Sequence, residues 1–238
     1  MGKVIETKGT AVDSEIVLEA SNIAKTYKSG AGELSILSRV SLQLRRGELV
    51  AITGASGVGK STLLHILGTL DQPSEGQLRI MQTDVLNLPD DDLADFRNRH
   101  IGFVFQFHNL LPEFTAVENA MLPAMISGQP ITAIKDKATA LLTRVGLEAR
   151  LHHRPGELSG GECQRVAVVR ALVMQPLIVL ADEPSGNLDT ETSARLHDMI
   201  IELAQSENQT FLIMTHDREL ASRFDRSGTI EDGQLQLN

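Results

Sequence analysis

The chain has no tryptophan, one tyrosine and one cysteine in 238 residues, and aromatic residues make up only 3% of it. Each shortage excludes something. Cys163 has no second cysteine to pair with, so nothing points to an oxidising compartment. The scarcity of aromatics leaves little on which unpaired bases could stack. Acidic residues outnumber basic ones by 31 to 22, for a formal charge of -9. That balance argues against the basic face that phosphate-backbone binding needs, so no nucleic-acid partner is expected. No run approaches the roughly 18 apolar residues of a membrane-spanning helix. Residues 1–12 are polar and lack the apolar core of a signal peptide. The remaining composition, 42% hydrophobic and 22% charged, is that of a globular chain with a sizeable core. A soluble cytoplasmic chain is expected, with any membrane role arising through a partner.

The richest stretch is Gly54-Ala55-Ser56-Gly57-Val58-Gly59-Lys60-Ser61. It fits G-x-x-x-x-G-K-[ST], a loop whose backbone N–H groups wrap a polyphosphate. The apolar run at 48–53 reads as the buried strand that feeds it. Leu63, Leu64 and Leu67 recur at helical spacing after it, so a helix N-terminus lies beneath the anion. Lys60 is placed to reach the β- and γ-phosphates, the Ser61 hydroxyl to ligate Mg2+, and Thr62 to donate to the α-phosphate.

Around this motif, strands alternate with helices, which predicts an α/β fold with a mostly parallel sheet. Residues 1–15 read as an extension before a cassette spanning 16–238. Residues 16–20 and 23–27 suggest two strands parted by a polar turn, followed by a loop at 29–32 and a half-buried strand at 38–45. Together these are expected to make up an antiparallel N-terminal β-subdomain. From 107 to about 158 the pattern is helical, with Ile134, Ala138, Leu141, Leu142 and Val145 on one face, which predicts an inserted α-helical subdomain. Asp232-Gly233 suggests a closing hairpin.

A second motif ends the apolar strand at 177–181 with Asp182-Glu183. Parallel strands carry ligand sites at their carboxyl ends. Asp182 is thus a candidate Mg2+ ligand and Glu183 a candidate general base for water. The third motif is Ser159-Gly160-Gly161-Glu162. Ser159 and Glu162 have capping-box spacing, a complete structural explanation. The two glycines are poor helix formers, and they suit a helix N-terminus that an anion approaches closely.

With these motifs in order, the chain resembles the ATP-binding cassette family from about residue 16 to 237, and is expected to share its P-loop NTPase core. The resemblance implies ATP and Mg2+ as cofactors. It implies that Tyr27 stacks on adenine, that Gln106 senses Mg2+ and water, that His216 contacts the γ-phosphate, and that Asp189 lies in a segment crossing a dimer interface. It implies that the segment Ser159 to Glu162 caps the nucleotide held by a second copy of the chain, in a head-to-tail dimer with two nucleotides sandwiched. The other six histidines are expected to be surface or packing residues. Cys163, where relatives more often carry a long polar residue, is expected to alter the dimer surface.

Residues 106–116 and 153–162 are similar to the ATPases of bacterial lipoprotein-releasing systems. That likeness implies a peripheral subunit on the cytoplasmic side of the inner membrane, driving integral permease subunits. Macrolide exporters and a regulatory cell-division ATPase belong to the same wider group and stand as alternatives. Phe107, Leu110, Leu111 and Phe114 suggest an apolar patch for a partner's short helix.

Overall fold

The computed structural model describes residues 15–29 and 32–238. Nearly all of the expected N-terminal extension, and Gly30 and Ala31 of the expected loop, lie outside that range. Strands β1 (Ile16–Ser29) and β2 (Gly32–Arg45) pair antiparallel. β1 is one bent strand rather than the two that the sequence suggests. Asn22, with φ 53°, forms a bulge, and the ladder resumes at Ile23. The extra residue resets the alternation, so Ile23 turns into the same core as Leu18 and Ala20.

β3 (Leu49–Thr53) leads through the glycine-rich loop into α1 (Lys60–Leu67). β4 (Glu75–Ile80) and the short β5 (Thr83–Asp84) complete an antiparallel sheet of order β2-β1-β4-β5. α2 (Asp90–His100) starts with three aspartates and ends with Arg97, Arg99 and His100, which matches the helix dipole at both ends. β6 (Ile101–Val104) follows.

Helix resumes only at α3 (Ala116–Ile126), so residues 107–115 are loop where the sequence pattern reads as helical. The buried side chain of Asn119 explains this. Its amide donates to the carbonyls of Leu111, Phe114 and Thr115 and accepts from the Leu111 N–H, taking over bonds that a helix would make internally. Thr115 and Glu118 then close a capping box that starts the helix. α4 (Ile131–Arg144) and α5 (Gly160–Leu172) complete the helical stretch.

β7 (Ile178–Asp182), α6 (Thr190–Glu207), β8 (Thr210–Thr215), α7 (Arg218–Ser222), β9 (Arg226–Glu231) and β10 (Gln234–Leu237) follow in turn. Asp232 and Gly233 both take positive φ in the closing hairpin, as a two-residue type I′ turn requires. The second sheet has the order β10-β9-β3-β8-β7-β6. It is parallel from β9 to β6, with β10 antiparallel at one edge.

This sheet is buried on both faces. Leu49, Ala51, Phe211 and Ile213 pack in a core with α3 to α6, while Val50, Ile52, Leu212 and Met214 pack in a second core with α1 and the antiparallel sheet. Double-sided burial is why these strands read as continuous apolar runs rather than alternating ones. Because β3, β6, β7 and β8 run the same way, their carboxyl ends deliver the glycine-rich loop, Gln106, Asp182-Glu183 and His216 to one edge.

Candidate functional site

At that edge a cleft of about 560 Å3 is lined by Tyr27, Ser56, Gly57, Gly59, Lys60, Ser61, Thr62, Gln106, Asp182, Glu183 and His216. Every one of these was singled out in the sequence. Ile36 of β2 also lines the cleft without any sequence signal. A larger cavity of about 730 Å3 lies between Glu15 and Asp84 on the antiparallel sheet, but it contains none of the motif residues. Volume alone therefore does not mark the site.

The loop geometry follows from its glycines. Gly59 has φ 108°, and a Cβ there would lie 3.0 Å from both Ile36 and Leu37. Lys60 is 7% exposed and donates to the carbonyls of Gly54 and Ala55 at 2.7 and 3.1 Å. Its Nζ is 3.5 Å from Oε1 of Glu183. The other carboxylate oxygen of Glu183 lies 2.7 Å from Nδ1 of His216 and accepts from the His216 backbone N–H at 3.3 Å. Glu183 thus sits between a cation and an imidazole.

Its backbone φ is 45°, in the left-handed region that costs a non-glycine residue about 1–3 kcal/mol. Hydrogen bonds from Glu183 N–H to the Met214 carbonyl and from Gly186 N–H to the Glu183 carbonyl hold it there. Val58, by contrast, packs with the core behind the loop.

Tyr27 is 43% exposed, and its hydroxyl donates to Asp71 at 2.9 Å. That bond, followed by burial, raises the phenol's pKa. Burial pulls the Asp71 carboxyl upward, but hydrogen bonds from Lys25, Tyr27 and the Gln72 N–H outweigh it and leave the pKa lowered. Lys25 lies 4.8 Å from the Tyr27 ring centroid, so the ring is fixed from two sides. Asp71 carries no motif signature, and its pairing with a residue 44 positions away is invisible in the sequence.

Gln106 and Asn187 exchange two hydrogen bonds. The Gln106 side chain donates to Asn187 Oδ1 at 3.2 Å, and the Asn187 amide donates to the Gln106 carbonyl at 3.0 Å.

The remaining predicted residues do not enter this cleft. Ser159 and Glu162 close the capping box at the start of α5, with bonds of 2.8 and 3.3 Å. The Ser159 N–H, and then burial and the Ser159 hydroxyl acting in opposite directions, leave the Glu162 carboxyl below its usual pKa. Gly160 is exposed. Gly161 is buried, and a Cβ there would lie 2.5 Å from Cγ2 of Thr192, so close packing of α5 on α6 accounts for this glycine. Asp189 caps α6 by accepting from the Thr192 N–H at 2.9 Å, the main cause of its lowered pKa. Asp217 caps α7 in the same way, beside His216.

Two expectations are corrected here. Cys163 is buried in the core with its thiol near the Pro155 carbonyl, because it lies on the inward face of α5; it does not form a surface. Burial raises its pKa. Leu110 is likewise buried, which removes it from the expected apolar patch, while Phe107 is 69% exposed. The exposed apolar surface nearby is a groove of about 480 Å3 between α2, α3 and α5, lined by Leu70, Phe103, Phe105, Leu122 and Ile126 among others.

The residues present fit a Mg2+ ion. Asp182 Oδ1 is buried and has no hydrogen-bond partner, a costly state for a carboxylate oxygen unless a cation satisfies it. The Ser61 hydroxyl and the Gln106 amide line the same cleft. Mg2+ prefers one or two protein oxygens together with substrate phosphates, which matches this sparse donor set.

A glycine-rich loop, a helix N-terminus and a carboxylate pair gathered at the edge of a parallel sheet define a P-loop nucleotide-binding site. Residues 37–186 match the family model described as ABC transporter, and the chain belongs to that family. It is 49% identical to the lipoprotein-releasing system ATP-binding protein LolD of Syntrophus aciditrophicus, over 92% of this chain and 98% of the relative. It is 51% identical to the protein of the same name in Cytophaga hutchinsonii, with the same coverage. Among solved structures it is similar to a dimeric bacterial ABC transporter cassette, with a TM-score of 0.84 and 38% identity over 92% of this chain and 96% of that one. A dimeric ATP-binding cassette in a post-hydrolysis state, bound to ADP and phosphate, gives a TM-score of 0.85 at 37% identity, over 93% and 97% of the two chains. Among the described residues no helix is long and apolar enough to cross a membrane.

Proposed function

We propose that this chain is the ATP-hydrolysing subunit of a bacterial lipoprotein-releasing transporter. It works as a head-to-tail dimer on the cytoplasmic side of the inner membrane, beneath integral permease subunits. The observation that carries the reading is the Lys60–Glu183–His216 cluster facing the cleft, in a chain about half identical to proteins of that name along nearly their whole length.

The chemistry follows from charge placement. An incoming polyphosphate competes with the Gly54 and Ala55 carbonyls for the Lys60 ammonium, and the N–H groups of residues 55–61 converge on its oxygens. Tyr27 stacks on the adenine, and Thr62 donates to the α-phosphate. Ser61, Asp182 and Gln106 would hold Mg2+, which, when bound, neutralises charge building on the β- and γ-phosphates. Glu183 accepts a proton from the attacking water as general base. His216 orients that carboxylate through its 2.7 Å contact and reaches the γ-phosphate from the other side.

Ser159, Gly160 and Glu162 lie at the start of α5 away from the cleft of the same chain, with Gly161 buried against α6 between them. This supports a role for them on the nucleotide of a second copy, where Asp189 also contributes to the shared interface. Moving a dimer from mostly open to mostly closed needs about 5.5 kcal/mol of differential binding. A few charge-assisted hydrogen bonds to the γ-phosphate, worth roughly 1.5–3 kcal/mol each, supply that. Hydrolysis removes the bridging phosphate and the dimer reopens.

Residues 107–158 act as the inserted helical subdomain that meets the permease. The apolar groove beside α3, where Ile126 is 76% exposed, receives a short helix of that partner.

The test is co-expression with candidate permease subunits in membranes carrying a lipid-modified substrate. ATP-dependent release of that substrate supports the reading. Turnover without any release, in a complex that assembles normally, favours a regulatory role instead.

A further inference from the structure

His197 lies on α6 at 5% exposure, one of the few buried polar side chains among the described residues. Its neighbours on the buried face of α6 are Leu196, Ile200, Leu203 and Ala204, so an apolar residue would pack there at no electrostatic cost. The imidazole is instead bonded. Its Nε2 lies 2.7 Å from the Ser185 hydroxyl, and its Nδ1 lies 4.0 Å from Oδ2 of Asp217. Ser185 stands two residues after Glu183, and Asp217 one residue after His216. The two ring nitrogens therefore face the two loops that flank the catalytic carboxylate.

Apart from the Gln106–Asn187 pair and the direct Glu183–His216 contact, both short loops are held by local bonds. The Ser185 carbonyl accepts from Leu188 N–H and from the Ser193 hydroxyl. Asp217 Oδ1 is committed to the cap of α7, which leaves Oδ2 to face the ring. A small cavity of about 270 Å3 between α6 and α7 is lined by Ser185, His197, His216 and Asp217, so the contact lies just behind the reaction cleft. The charged groups acting on the ring are Asp217, Glu219 and Arg223 from α7 and its flanks, and Asp198 from its own helix. Burial holds the imidazole below its ordinary pKa against the opposing pull of Asp217. The Ser185 hydroxyl is within hydrogen-bond distance of Nε2, whereas Asp217 Oδ2, 4.0 Å from Nδ1, acts on the ring through its charge.

We infer that His197 is a positioning residue for hydrolysis, joining the loop after Glu183 to the loop that carries His216 and so fixing the two groups relative to each other. The inference rests on the ATPase reading and adds to it a determinant outside the cleft. It acts on the rate of the chemical step rather than on nucleotide binding, because neither His197 nor Ser185 lines the nucleotide cleft.

The test uses the full-length chain and steady-state ATP hydrolysis. Wild type must turn over and Lys60→Ala must not; failure at that point overturns the ATPase reading itself. Given that control, His197→Leu is expected to lower kcat about fivefold, the worth of one hydrogen bond, with KM for ATP unchanged. Ser185→Ala is expected to give the same loss, and the double variant to be no worse than either single one. His197→Gln places an amide nitrogen where Nε2 stood and is expected to recover most of the rate. An unchanged kcat in His197→Leu, or losses that add independently, would overturn the inference. If His197→Leu fails to fold, Ser185→Ala decides alone, since it removes one oxygen from a surface loop, and a wild-type kcat in that variant refutes the link.

Discussion

Lys60 Nζ stands 3.5 Å from Glu183 Oε1, with the two side chains only 7% and 16% exposed. The side chain proposed to bind the terminal phosphates and the one proposed to activate water are thus near neighbours. Each limits the other. The carboxylate repels a γ-phosphate while the neighbouring ammonium attracts it.

Glu183→Gln is accordingly expected to lower turnover by about 10²–10⁴-fold, the usual worth of a positioned general base, while ATP affinity stays equal or improves. The variant should accumulate as an ATP-bound dimer. Size-exclusion chromatography with and without ATP checks this, and a monomer at saturating nucleotide would count against the sandwich.

Lys60→Ala and Ser159→Arg are each expected to abolish ATPase activity, the first by losing nucleotide and the second while still taking it up. Mixed in equal amounts, they should recover part of the activity. In the mixed dimer one composite site combines an intact loop with an intact Ser-Gly-Gly segment, and the other combines both defects. Activity measured against mixing ratio checks this. No recovery at any ratio, with dimers formed, contradicts a site shared between chains.

Asp182→Asn should raise the Mg2+ concentration needed for half-maximal turnover by about 10–100-fold, because the buried Oδ1 without a partner loses its charge. Full chelation should stop hydrolysis in wild type. A Mg2+ titration of the rate reads both, and an unshifted curve removes Asp182 from the ligand set.

Gly161→Ala is expected to destabilise the fold by about 1–3 kcal/mol through overpacking against Thr192 Cγ2. Thr192→Ser, which deletes that methyl group but keeps the N–H bonded to Asp189, should restore most of the loss in the double variant. Denaturant midpoints measure it.

The parts legible in the sequence are those written in one contiguous stretch. The loop at 54–61, the Asp182-Glu183 strand end and the hairpin at Asp232-Gly233 each carry their own geometry. What was hidden depends on distant partners. The Asn22 bulge is decided by which face of β1 the core needs, and local polarity there reads as a turn. The loop at 107–115 carries helix-compatible apolar residues, and Asn119 overrides them from the next helix. Gly161 reads as an anion site, and its crowding by Thr192, which lies on another helix, is invisible in the sequence. His197 reads as a surface or packing residue, because Ser185 and Asp217 come to it only once α6 has docked beside β8.

The paired amides of Gln106 and Asn187 have a mechanical implication. A pull on the segment after Gln106 must either drag the Asn187 loop along or snap two bonds at once. A tether of that kind carries load in both directions, so under the proposed function strain arriving from a permease reaches the hydrolytic pocket as readily as loss of the phosphate reaches the permease.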